Sequence, residues 1–131
     1  MLFAAQNMKF MNRNYSLFYG EKNAENLIHS DFLPEEIHIA TDNGDRGFHG
    51  TVIELIKEFI PSSILACGPE PMLRCIAEKA KKEHLKAWLS LEARMACGFG
   101  VCQCCVIDTK HGYKRVCSDG PVFPADEVLL D

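Results

Sequence analysis

The chain has 131 residues, 47% of them hydrophobic and 24% charged, with a formal net charge of −4; that bounds it to one domain, or one with an appendage, of ordinary globular composition. The acidic balance argues against a general nucleic-acid binder, which would carry a basic patch, and no apolar run reaches the roughly 20 residues that span a bilayer. Seven cysteines, an odd number with no secretory signal before them, speak against a disulfide framework and place the protein in a reducing cytoplasm.

Residues 1–91 alternate helix and strand. A helix is expected over 2–12, with Leu2, Ala5, Met8 and Met11 at helical intervals. A short buried strand follows at 15–19, closed by Gly20, then one helical turn near 24–28 and a second strand over 37–41. Residues 42–47 (Asp-Asn-Gly-Asp-Arg-Gly) carry strong turn chemistry. Thr51 and Glu54 form a capping-box pattern, and Val52, Leu55, Ile56, Phe59 and Ile60 give the next helix one apolar stripe, ended by Pro61. A third strand over 64–67 enters the tight turn Gly68-Pro69-Glu70-Pro71. Pro71 suits the first position of a helix running to His84, with Ile76, Ala77 and Ala80 inward and a solvated face of Lys79, Lys81, Lys82 and Glu83. A fourth strand is expected over 87–91.

This alternation predicts an α/β fold with a mostly parallel sheet and helices on its faces. Ligands of such sheets sit at the carboxyl ends of the strands. Gly20, the 42–47 loop and the Cys67-Gly68-Pro69 turn are three such ends and would together line a crevice for a dinucleotide; singly, each reads as a plain turn.

After about Glu92 the texture changes, so the expected division is an α/β lobe over 1–91 and a cysteine-rich module over 92–131. Five of the seven cysteines lie in the second part. Cys97, Cys102 and Cys105 form a C-x4-C-x2-C run, and a hairpin of 106–108 with 113–116, turning at His111-Gly112, brings Cys117 back towards them. That is the spacing of a plant-type [2Fe–2S] site, where four thiolates converge on two irons. Gly98 and Gly100 can take positive φ, letting the loop wrap with its N–H groups aimed at sulfur. A structural zinc site is the alternative from a different class, giving a colourless interaction module without redox activity, but it uses two short knuckles where this chain has one. A redox C-x-x-C belongs at a helix start, which Gly-Phe-Gly-Val does not resemble. Cys104 is a spare thiol expected to pack as a small buried side chain, and Cys75 a structural helix residue. None of His29, His38, His49, His84 and His111 stands out as an acid–base catalyst, as suits a relay whose cofactors carry the chemistry.

Two stretches resemble a known family. Cys67-Gly-Pro-Glu-Pro-Met72 is similar to the nicotinamide-side motif of ferredoxin-reductase-like NAD(P)-binding domains. Glu92-Ala-Arg-Met-Ala-Cys97-Gly-Phe-Gly-Val-Cys102, Cys105 and Val116-Cys-Ser-Asp-Gly-Pro-Val-Phe123 resemble the electron-transfer subunit of bacterial class B dihydroorotate dehydrogenase, an enzyme of pyrimidine biosynthesis. The resemblance implies that NADH reduces FAD, and that electrons pass singly through a [2Fe–2S] cluster to the FMN of a separate catalytic subunit in a heterotetramer, where dihydroorotate becomes orotate. It implies Cys97, Cys102, Cys105 and Cys117 as cluster ligands, Cys67, Gly68 and Pro69 beside the nicotinamide, and Asp42 near the dinucleotide path. A related alternative is the flavin and iron–sulfur subunit of an NADPH-linked ferredoxin reductase or a cytoplasmic hydrogenase. The family's flavin-binding β-barrel and the glycine-rich first strand of its nucleotide lobe have no counterpart in these residues. The polypeptide alone is therefore expected to bind no FAD, to handle NAD poorly and to be inactive by itself.

Overall fold

A computed structural model of the chain describes residues 2–28 and 37–130; His29 lies outside them. The structure divides into two compact units, 1–60 and 61–131.

In the first unit a helix, α1 (Leu2–Phe10), precedes strand β1 (Leu17–Glu21). Met8 and Met11 of its expected stripe are exposed. A single 3₁₀ turn, Ala24–Asn26, follows with Asn23 as its cap. Strand β2 (Ile37–Thr41) pairs in parallel with β1 along its whole length, from Leu17 opposite Ile37 to Glu21 opposite Thr41. Gly20 therefore lies inside β1 and does not close it. Its value is closeness: a Cβ there would stand 2.8 Å from the Val52 Cβ, so its absence lets the next helix approach the strand. The turn after β2 is organised by Thr41, fully buried, whose hydroxyl donates to the Arg46 carbonyl (2.8 Å) and accepts from the Arg46 N–H (3.1 Å). A two-residue strand, β3 (Phe48–His49), then pairs with β2.

Helix α2 (Val52–Ile56) begins with the capping box in full. The Thr51 hydroxyl accepts from the Glu54 N–H (3.3 Å), and the Glu54 carboxylate accepts from the Thr51 N–H (2.8 Å). The helix is shorter than its apolar stripe predicts. Beyond it the N–H groups of Lys57, Glu58 and Phe59 each bond three residues back at 3.2 Å, the tighter 3₁₀ pattern. Phe59 meets Phe18 and His38, both ring centroids 4.8 Å away, and His38 stacks on Phe18 at 4.7 Å. His38 is thus packed in an aromatic cluster.

In the second unit β4 (Ser63–Cys67) and β5 (Lys86–Ser90) pair in parallel, and α3 (Glu70–Glu83) connects them. Pro69 occupies the cap position, so Pro71 is the second helical residue and not the first; its missing N–H has no helical partner at either place. Leu73, Ile76 and Ala80 form the buried stripe, while Ala77 is only half-buried. Cys75 is exposed on this helix. His84 ends it in the left-handed conformation, φ 56°.

The cysteine-rich segment contributes a hairpin of β6 (Val106–Ile107) and β7 (Lys114–Arg115). It also forms two elements absent from the sequence expectation: a single helical turn α4 (Val116–Asp119) and a strand β8 (Val122–Pro124). Strand β8 pairs antiparallel with β5, Phe123 opposite Leu89, so the end of the chain widens the β4–β5 sheet and is built into its core. Among the described residues no helix is long and apolar enough to cross a membrane.

Candidate functional site

Strand β5 ends at Ser90, and Leu91 is held by its N–H to the Pro121 carbonyl (2.9 Å). From there residues 92–105 run without helix or strand. Gly98 (φ 75°), Gly100 (φ 87°) and Gln103 (φ 57°) all take left-handed conformations, which curl the loop around its own sulfur atoms. The Cys102 N–H points at Cys97 Sγ (3.5 Å), and the Cys104 N–H at Cys102 Sγ (3.5 Å). Loop and hairpin then join: Cys105 is buried, its carbonyl accepts from the Val116 N–H (3.0 Å), and its Sγ receives the Cys117 N–H (3.4 Å).

The cysteines thereby fall into two pairs, Cys97 with Cys102 and Cys105 with Cys117, each joined by a backbone N–H directed at sulfur. Backbone N–H groups, that of Cys102 foremost, hold the Cys97 thiol down at about 6. The Cys117 N–H, followed by the Cys117 thiol, lowers Cys105. Cys117 moves the other way: its bond to the Cys105 sulfur, burial, and the charges of Cys105 and Cys97 push it up. The charge of Cys97 is the smallest of the contributions that raise Cys117, and the Gly100 backbone opposes them. Among the described residues no three Cys, His, Asp or Glu side chains converge as a cage for a single ion. Two pairs of cysteines would supply the four thiolates that a [2Fe–2S] cluster takes.

Arg115 was not singled out by spacing, yet it ties the site together. Its Nη1 donates to the Gly100 carbonyl (3.0 Å), and its Nε and Nη2 donate to the two carboxylate oxygens of Asp119 (3.1 and 3.3 Å). Hydrogen bonding to Arg115 holds Asp119 down at about 2, and the same contact raises Arg115. The signal in the sequence was an Arg and an Asp four apart, astride Cys117. Gly100 is buried, and a Cβ on it would stand 2.9 Å from Ser118 Oγ. Cys104 is exposed, contrary to its expected packing; it follows the left-handed Gln103, and its N–H faces Cys102 Sγ.

The other expected site residues belong to both units. Cys67 ends β4, and Gly68 and Pro69 lead into α3. Gly68 and Pro69 line a cavity of about 440 Å³ whose lining also includes Ile107 and Asp108. Asp42 is exposed in the first unit, its N–H bonded to the Glu21 carbonyl (3.1 Å).

Residues 92–129 match the family described as the iron–sulfur cluster binding domain of dihydroorotate dehydrogenase B. A homolog of the dihydroorotate dehydrogenase B (NAD(+)) electron transfer subunit from Aquifex aeolicus is 42% identical, over 96% of this chain and 51% of that protein. Electron transfer subunits from Bacillus caldolyticus and Clostridium perfringens are 47% and 34% identical, covering 72% and 98% of this chain and 38% and 53% of theirs. The chain thus spans about half the length, or less, of these curated relatives. A solved structure of an NADH-dependent reduced ferredoxin-NADP oxidoreductase superposes with a TM-score of 0.83 at 27% identity, over 98% of this chain and 49% of that one.

Proposed function

Because this chain belongs to the family of dihydroorotate dehydrogenase B electron transfer subunits, we propose that it holds a [2Fe–2S] cluster on Cys97, Cys102, Cys105 and Cys117 and works as a one-electron relay. The observation that carries this reading is the pair of thiol pairs, each with a backbone N–H already directed at sulfur. A bound [2Fe–2S] cluster supplies one-electron transfer at a potential set by net charge, hydrogen bonds to sulfur and solvent exposure. The protein's part is to supply thiolates and to hold them. Cys97, low in pKa, is ready to ligate at neutral pH, and burial of Cys105 limits solvent on the hairpin side.

In this reading residues 92–131 are the cluster module and residues 1–91 part of an NAD-binding lobe. NADH is the donor, with Cys67, Gly68 and Pro69 beside the nicotinamide and Asp42 on the dinucleotide path. The cavity shared by Gly68, Pro69, Ile107 and Asp108 supports a short route from nucleotide to cluster. FAD is assigned to a portion of the relatives' length that this chain does not span, so these 131 residues alone are expected to bind none. The acceptor is an FMN-containing catalytic subunit that oxidises dihydroorotate, in a cytoplasmic heterotetramer. Phe99 and Val101, both 71% exposed on the ligand loop, offer apolar surface for that contact.

The test is an anaerobic visible spectrum of the purified chain with iron and acid-labile sulfide quantified. Two irons and two sulfides per chain with no flavin bands support the reading; a colourless chain containing zinc overturns it. Co-purification with an FMN-containing subunit, as opposed to a second flavoprotein or a hydrogenase, separates it from the ferredoxin-reductase alternative.

A further inference from the structure

We infer that Arg115 is a positioning residue for the cluster site: its guanidinium clamps the ligand loop onto the turn carrying Cys117, and its fixed positive charge raises the reduction potential there. The charge half of this inference rests on the cluster reading above; the clamp half stands on the protein alone.

The clamp follows from geometry. Arg115 closes strand β7 opposite Val106, the residue after Cys105, and it precedes Cys117 by two. From that position its side chain turns back across the site. Nη1 bonds the Gly100 carbonyl, which lies between Cys97 and Cys102, while Nε and Nη2 grip the Asp119 carboxylate. The Asp119 carboxylate also accepts the Arg115 backbone N–H at 2.8 Å, closing the α4 turn on which Cys117 sits. One residue thus joins the loop bearing the first thiol pair to the turn bearing the last ligand. Gly100 is shaped to this purpose: its carbonyl faces the guanidinium, and its missing Cβ leaves room for Ser118 (2.9 Å) and for Arg115 Nη1 (3.5 Å).

The planar fork matters. Arginine can span a carbonyl and a carboxylate at once, whereas lysine offers one compact charge on a flexible stem. Asp119 offsets part of the positive charge, but the guanidinium donates directly into the ligand loop and stays protonated at any working pH. When a cluster on these thiolates accepts one electron from a reduced flavin or a chemical donor, no bond forms or breaks and the site gains one negative charge. A neighbouring fixed cation favours that reduced state.

Arg115→Lys and Arg115→Gln separate the two roles. In the metal-free chain, amide hydrogen exchange over residues 97–105 reads the clamp. Both variants are expected to exchange at least tenfold faster there, with β4 and β5 unchanged. Exchange unchanged in both would overturn the clamp. In the anaerobically reconstituted chain, a dithionite titration followed by electron paramagnetic resonance reads the potential. Arg115→Gln is expected to shift the reduction equilibrium at least tenfold towards the oxidised form, about 59 mV for one electron, and Arg115→Lys to stay within threefold of wild type. Equal potentials in all three loaded proteins would overturn the charge role while leaving the cluster reading intact. Failure of the wild type to load iron would overturn the cluster reading and the charge role together, and the exchange comparison would still decide the clamp.

Discussion

The two thiol pairs are built differently. Cys97 and Cys102 lie on a loop with no regular structure, shaped by Gly98 and Gly100 at positive φ, and Cys102 is exposed. Cys105 and Cys117 flank the β6–β7 hairpin; Cys105 is buried and its carbonyl is bonded to Val116, itself fully buried. One pair belongs to the fold and the other is presented by it. The proposed relay would need its metal near a surface, where a partner can approach, and would need it held still. Anchoring one pair in the core and tethering the other through Arg115 meets both demands with only 38 matched residues.

The largest expected effect comes from removing a proposed ligand on each side. Cys97→Ser and Cys105→Ser should each abolish two-iron loading. Only Cys105→Ser should also lower the thermal unfolding midpoint of the metal-free chain, because its hydroxyl is buried and too short to reach the Cys117 N–H as sulfur does. Equal midpoints for the two variants would erase the distinction between the pairs.

The glycines divide the loop more finely. A Cβ on Gly98 meets nothing within 4 Å, so Gly98→Ala should cost only the left-handed backbone penalty, ~1 kcal/mol. Gly100→Ala adds a clash with Ser118 on top of the same penalty. Thermal melts should therefore rank Gly100→Ala below Gly98→Ala, and Gly100→Ala should also load less iron. The reverse ranking would mean that the loop is not held against α4.

Protonation sharpens the contrast. In the reduced, metal-free chain, alkylation of Cys97 should rise with a midpoint near pH 6, while Cys117 should need a pH above the ordinary thiol value. Because the folded pKa of Cys97 is depressed from 9.0, the linked stability is full above about pH 9 and is lost as pH falls towards 6. Mass-spectrometric mapping of iodoacetamide adducts against pH checks the order; Cys117 reacting first would refute it.

What could be read in advance follows range in sequence. The Thr51–Glu54 capping box, strand β2 and the β6–β7 hairpin all depend on residues a few positions apart, and all formed. The four cysteines proposed as ligands stand out in the sequence because a cluster loop is also a local spacing. Strand β8 was not: Val122–Pro124 has no alternation of its own and becomes a strand only by pairing with Trp88–Ser90, over thirty residues earlier. Gly20 was misread for the same reason, since Val52 that needs its missing Cβ lies far along the chain. The exposed Cys104 follows a left-handed Gln103, a conformation that residue type alone does not announce.

Cys104 gives the smallest expected effect. It lies between two of the proposed ligands, and by spacing alone it could substitute for either. The structure separates its backbone from its side chain: the N–H is directed at Cys102 Sγ, while the residue is exposed to solvent. Cys104→Ser keeps that N–H and removes only a solvent-facing sulfur. Iron and sulfide content, the visible spectrum and the midpoint potential should all match wild type. A measurable loss of iron would move the first pair from Cys97 and Cys102 to a set containing Cys104. The same substitution placed in a Cys102→Ser background should also change nothing further, because Cys104 is exposed to solvent and follows a left-handed Gln103.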